Sequence, residues 1–87
     1  AEVLLISPIY LGKKVWQEGY DQEFSRESVT VSRNLQPVYE KIARDRQIEF
    51  LPAADHVKCC EADQEHLNAE GHKKFAEVVY RKLQKLL

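Results

Sequence analysis

Methionine is absent from these 87 residues, and glycine, proline and cysteine are scarce, at three, three and two. Without a methionine the chain does not begin where translation began, so it reads as a processed product or as a piece of a longer polypeptide. The two cysteines, Cys59 and Cys60, are adjacent. Neighbouring cysteines close only a strained vicinal disulfide, so they staple no fold and leave the redox compartment open. The longest apolar run is Val3–Ile6, far short of the roughly 20 residues that cross a bilayer. No signal peptide is visible, since Glu2 precedes that run and no basic segment leads into it. The compartment therefore stays open, with that absence favouring the cytoplasm. Charge of one sign is missing too: 13 basic against 14 acidic residues leave −1. That balance gives no footprint for nucleic acid or an anionic membrane, and neither is expected as a partner.

What is present is a globular composition, 44% hydrophobic and 31% charged, in a length that suits one small domain or part of one. A chain this short buries only roughly 60–65% of its unfolded surface, which makes a lone domain marginal. The stretch EVLLISPI is apolar on successive positions and is stopped by Pro8. It reads as a strand buried on both faces, as in parallel sheets. A long connection follows with Tyr10, Trp16, Tyr20 and Phe24, and loops of that length are usually functional or mobile. These aromatic residues line an acyl or alcohol pocket or form a subunit contact, and the sequence leaves both readings, a homo-oligomer included, open.

From about Ser25 to Arg46 a helical stripe runs through Val31, Leu35, Val38, Tyr39, Ile42 and Ala43. It keeps its phase across Pro37, which predicts one helix kinked there rather than two. Ile48–Ala53 is a second short strand ended by Pro52. The final helix is expected from Ala69 to about Lys85, with Asn68 as N-cap and Glu70 favourable against its dipole. Its inner stripe is His72, Phe75, Ala76, Val79, Leu83 and Leu86, which makes His72 a packed, hydrogen-bonded histidine. Lys73, Lys74, Glu77, Arg81, Lys82 and Lys85 then form a solvated face. The resulting βαβα string predicts an α/β fold with two parallel strands and a right-handed crossover. Two strands do not make an independently stable sheet, so the sheet is expected to continue into sequence beyond these residues.

Chemistry gathers in ADQEHLNAEGH, where Asp63 precedes His66 by three residues in the loop after the second strand. At that spacing one turn lets the carboxylate reach the Nδ1 of the histidine and leave Nε2 free. This is the base-and-orienter half of an acyl-transfer device. Surface hydrogen bonding is the bland alternative for so short a motif. Asp55, His56, Cys59, Cys60, Asp63 and His66 also invite a metal reading. Adjacent thiolates reach two tetrahedral positions poorly, and no metal or other cofactor is expected. A Cys60–His66 thiol dyad is conceivable, but no helix N-terminus lies where it would lower that thiol's pKa. Ser7, Ser25, Ser28 and Ser32 are all outside any Gly-x-Ser-x-Gly elbow and read as structural.

The block ADQEHLNAEGHKKFAEVVYRKL resembles the C-terminal block of the SGNH (GDSL) hydrolase family. The likeness covers Asp63, His66, Leu67, Asn68, Gly71 and His72. Upstream, VLLISPI, the long loop, the helix and IEFLPAADHV are similar in order and character to the second half of such domains. Among subgroups the arylesterase-like and acetylesterase-like members look most similar. The resemblance implies that residues 1–87 are the C-terminal part of a single three-layer α/β/α, flavodoxin-like hydrolase domain. It implies His66 as catalytic base and Asp63 as its orienting carboxylate, with a small, short-acyl ester as substrate. The family's nucleophile comes from a Gly-Asp-Ser block, and its oxyanion hole from that serine's backbone, a glycine and an asparagine. None of these is present: Gly12, Gly19 and Gly71 lack the context, and Asn34 falls in a helix. The expected partner is thus the missing N-terminal segment that carries the serine, and these residues alone should not turn over esters. The competing reading is a non-catalytic α/β binding module or a truncated relative.

Overall fold

The computed structural model describes residues 2–87; Ala1 of the expected 1–87 domain lies outside the described residues. Strand β1 (Leu4–Ser7) leads through an ordered loop to helix α1 (Arg26–Arg46), then strand β2 (Glu49–Pro52). A single 3₁₀ turn (Ala53–Asp55), a second loop and helix α2 (Ala69–Leu86) complete the chain. The two strands pair in parallel, Leu4 opposite Glu49 and Ile6 opposite Leu51. The α/β architecture predicted from the βαβα string is what forms, with α1 packed across both strands. Helix α1 runs unbroken through Pro37. Ser28 Oγ accepts from the Ser25 backbone N–H at 3.0 Å to fix its start. Gln47, in the left-handed region at φ 56°, ends it.

The core is small: Val15, Ala43, Leu51, Ala53 and Val57 are its buried apolar residues. Val15 belongs to the long loop, which is folded into successive turns rather than left open. Val15 N–H donates to Gly12 O (3.1 Å) and Gln17 N–H to Lys14 O (2.9 Å). Helix α1 grips the loop as well. Its Ser32 hydroxyl accepts from Leu11 N–H at 3.1 Å and donates to Val29 O at 2.8 Å. The Arg26 and Arg33 guanidinium groups lie 4.8 Å over the Trp16 and Tyr10 rings. Two of the loop's four aromatic residues are therefore engaged by α1 within this chain.

Three expectations are corrected. The strands are not buried on both faces: Ser7 and Leu51 are buried, whereas Leu4, Leu5 and Phe50 are half-buried and Ile6 is exposed. The stripe of α1 splits into two rows. Ser32 and Ala43 are buried with Leu35 and Tyr39 half-buried beside them. Val31, Val38 and Ile42 stay 56%, 54% and 46% exposed. The row facing the strands is centred on small residues, which let the backbone come close, and nothing among the described residues covers its neighbour. On α2, Phe75, Val78, Val79 and Leu86 are half-buried, while Ala76, Leu83 and His72 are exposed. His72 is thus no packed core histidine. Gly71 takes the inward place instead: a Cβ there would sit 3.2 Å from Leu67 Cβ, and the next residue points about 100° further round the helix.

Candidate functional site

The second loop returns the chain from the carboxyl end of β2 to the start of α2, and the Asp63–His66 turn occupies it. The turn is closed by its own backbone. Cys60 N–H donates to His66 O at 2.7 Å, and Gln64 N–H donates to Cys60 O at 3.0 Å. Immediately after, Asn68 Oδ1 accepts from Gly71 N–H at 2.8 Å, the predicted N-cap, and α2 begins.

Inside that turn His66 Nδ1 lies 2.7 Å from Asp63 Oδ2. Asp63 Oδ1 accepts three further bonds, from Glu65 N–H (2.8 Å), His66 N–H (3.0 Å) and the Cys60 thiol (3.2 Å). A carboxylate with four donors aimed at it is held in its charged form. Its pKa is driven far below the ordinary value, first by the His66 and Glu65 backbone N–H groups and then by the His66 ring. The same contact acts oppositely on the histidine: the hydrogen bond to Asp63 and its negative charge push the His66 pKa up. The pair is open to solvent, the His66 and Asp63 side chains being 75% and 41% exposed. With Nδ1–H given to Asp63, the neutral ring keeps Nε2 as its acceptor. Among the described residues the ring has no hydroxyl partner.

The other expected groups do not join it. Cys60 serves Asp63 by donating its thiol proton, so it forms no dyad with the His66 ring. Burial, foremost, pushes the Cys59 thiol up, away from reactivity. Of the six residues in the metal reading, only Asp63 and His66 come together with a third donor, Glu65, all within 4.8 Å. Those two are already committed to each other. The Glu65 carboxyl is itself pushed up from its ordinary value, mainly by its hydrogen bond with Asp21 in the first loop. The Ser7 hydroxyl is fully buried at the end of β1 and has no partner among the described residues, so no base activates it.

Sequence reasoning passed over Gln64. It is buried, at φ 64°, between the exposed histidine and its carboxylate. Its backbone carbonyl accepts from Gly12 N–H at 2.8 Å. Its side-chain Oε1 accepts from Lys14 N–H at 3.1 Å, while Nε2 donates to Glu61 O at 3.2 Å. Gly12 is needed where it stands, because a Cβ there would fall 2.1 Å from Gln64 Oε1. The sequence signals were one of two glycines in a long loop and a glutamine inside D-x-x-H. A cavity of about 580 Å³ opens beside this junction, lined by Tyr10, Lys14, Arg33, Val57, Cys59 and Gln64 among others.

No family model and no curated protein matches the chain. Solved structures do. The chain superposes on one at TM-score 0.92 with 27% identity. It superposes on a protein from Agrobacterium tumefaciens described as an arylesterase at 0.82 with 20% identity. A carbohydrate acetylesterase from Sinorhizobium meliloti gives 0.83 with 24% identity. In each case 99% of this chain is covered and 39% of the other, so the chain spans about two fifths of the length of these structures. At these identities the likeness establishes the fold: an α/β unit shared with part of two esterase structures.

Proposed function

We propose that this chain supplies the His–Asp part of a Ser-His-Asp triad in an SGNH-type ester hydrolase. The observation that carries the reading is the 2.7 Å contact between His66 Nδ1 and a carboxylate fixed by three further donors. It forms in a chain that overlays esterase structures almost end to end. His66 is the base and Asp63 the group that orients it. Nε2 takes the proton of a serine hydroxyl as Oγ attacks the ester carbonyl, and returns it to the departing alkoxide. The same nitrogen then deprotonates the water that hydrolyses the acyl-enzyme. Asp63 stabilises the imidazolium formed at each step without itself taking the proton. The serine is supplied by sequence outside these residues, and short acyl esters are the substrate class.

Fluorophosphonate labelling of the purified material, read by intact mass, tests the missing serine. The adduct is expected on a polypeptide other than, or longer than, the 10.1 kDa chain; an adduct on this chain itself overturns it. For the base, His66→Ala in the serine-containing protein is expected to lower kcat/KM by at least about a thousandfold, roughly 4 kcal/mol of transition-state stabilisation. An unchanged rate removes His66 from the mechanism.

A further inference from the structure

We infer that Gln64 is a positioning residue whose buried side chain locks the Asp63–His66 turn onto the Gly12–Lys14 loop and so holds His66 Nδ1 on Asp63 Oδ2. Its functional consequence rests on the proposed role of His66 as a base, but its geometry does not. An exposed two-residue pair in a loop has little of its own to hold it, since surface ion pairs are weakened by solvent and by side-chain freedom. Here the residue between the two is the buried one. Gln64 is 4% exposed, whereas its neighbours Asp63 and Glu65 are half-buried and His66 is exposed.

Every polar group of Gln64 has work. Its N–H closes the turn on Cys60 O, its carbonyl takes Gly12 N–H, Oε1 takes Lys14 N–H, and Nε2 reaches the Glu61 carbonyl. Nε2 also lies 3.3 Å from Glu61 Oε2. The left-handed backbone at Gln64 is what points this side chain inward while Asp63 and His66 face each other outside. A non-glycine residue holds such a φ only where the surroundings over-determine it, and these bonds do so. The partner segment is prepared for it: Gly12 has no Cβ to block Oε1. The next turn of that loop buries Val15 completely. Thus the hydrogen-bonded turn of the first loop, 50 residues earlier in sequence at Lys14, is the anvil against which the His–Asp pair is set.

The test is an NMR titration of the His66 imidazole in the serine-containing protein, with the ring ¹⁵N shifts reporting tautomer. The groups facing it are Asp63, Glu65 with Asp21 behind it, and the Cys60 thiol. In the parent chain His66 should titrate above the free imidazole value of about 6.5, with Nδ1 protonated in the neutral form. Gln64→Ala is expected to bring the titration down by about half a unit or more, roughly a threefold loss of proton affinity, and to mix the tautomers. Gln64→Gly keeps the left-handed backbone without strain and removes only the side chain, so it should do the same in a folded chain. Gly12→Ala, which forces Oε1 out from the opposite side, should reproduce the effect. A Gln64→Gly chain that stays folded with His66 titration and tautomer unchanged overturns the proposal. So does a lowered Tm with the titration unmoved, because a merely structural glutamine would behave that way. These readouts need no ester: a rate unchanged in His66→Ala would sink the base assignment and leave this result standing.

Discussion

Helices α1 and α2 are of similar length, 21 and 18 residues, and both carry an apolar stripe, yet the protein uses them differently. Helix α1 packs across both strands, buries Ser32 and Ala43, and fastens the first loop through a hydroxyl and two guanidinium groups. Helix α2 buries no residue among those described; its tie to the sheet is Lys82 Nζ to Glu49 Oε2 at 3.2 Å. Amphipathicity thus prepares a helix for burial but does not accomplish it; a surface that meets the stripe does. The site lies at the seam, in the loop that leaves the well-packed half and starts the poorly packed helix. From that seam the turn's long-range hydrogen bonds, Gly12 N–H to Gln64 O and Lys14 N–H to Gln64 Oε1, run back to the first loop.

Truncating one leucine in each half makes the sharpest contrast. Leu51, buried in β2 beneath α1, should cost about 2–4 kcal/mol as Leu51→Ala, through lost transfer energy and the cavity left behind. Leu83→Ala on α2 should cost less than about 1 kcal/mol, since the side chain is exposed already. Urea unfolding of the two variants checks this, and equal losses would break the division. A smaller effect of opposite sign is expected inside the packed half. The buried Ser7 hydroxyl has no partner among the described residues, so Ser7→Ala should stabilise by about 1 kcal/mol. A destabilised Ser7→Ala would reveal a partner for that hydroxyl.

Local pattern carried the sequence reading as far as local physics goes. Strand and helix limits, the Asn68 cap and the reach of Asp63 to His66 Nδ1 all involve groups within a few residues of one another, and each forms. Where the contact is distant the sequence was silent. Gln64 and Lys14 are 50 residues apart, and no periodicity links a glutamine to a backbone N–H in another loop. The helix faces failed for a related reason. Periodicity fixes the phase of an apolar stripe, but Val31, Val38 and Ile42 adjoin the Ser32–Ala43 row, and only the partner decides which row is covered. Small residues at 32 and 43 were the signal for close approach; the stripe included Ala43, but a hydrophobicity count discards a serine such as Ser32.

The pair at the seam should make the loop's order depend on pH in a definite sense. Asp63, with its pKa lowered, contributes stability above the unfolded value near 3.9 and loses it as pH falls through the folded one. His66, with its pKa raised, contributes fully below about 6.5 and loses that contribution as pH rises through its folded value. Protection of the Glu65 and His66 amides, corrected for intrinsic exchange, should therefore be greatest between about pH 4 and 6.5. Glu65, its pKa raised mainly by the hydrogen bond with Asp21, contributes below its own unfolded value and loses that contribution as pH rises through the folded one. Asp63→Asn should flatten the profile and return His66 towards the ordinary imidazole value. A profile that keeps its shape in Asp63→Asn would mean that the order of the turn does not come from this carboxylate.

The smallest effect belongs to the tie of α2. Lys82 and Glu49 side chains are 27% and 45% exposed, so solvent screens the pair and each side chain gives up freedom to make it. Lys82→Gln should cost no more than about 0.5 kcal/mol in global unfolding, and that difference should shrink as salt is raised. Its reach should be local: amides of the α2 C-terminal half should exchange faster, while those of α1 and of the Cys60–His66 turn stay as they were. If the turn's amides quicken together with α2, the helix and the site form one cooperative unit. The seam would then be no boundary, and the anchoring of His66 would have to be shared between the first loop and the last helix.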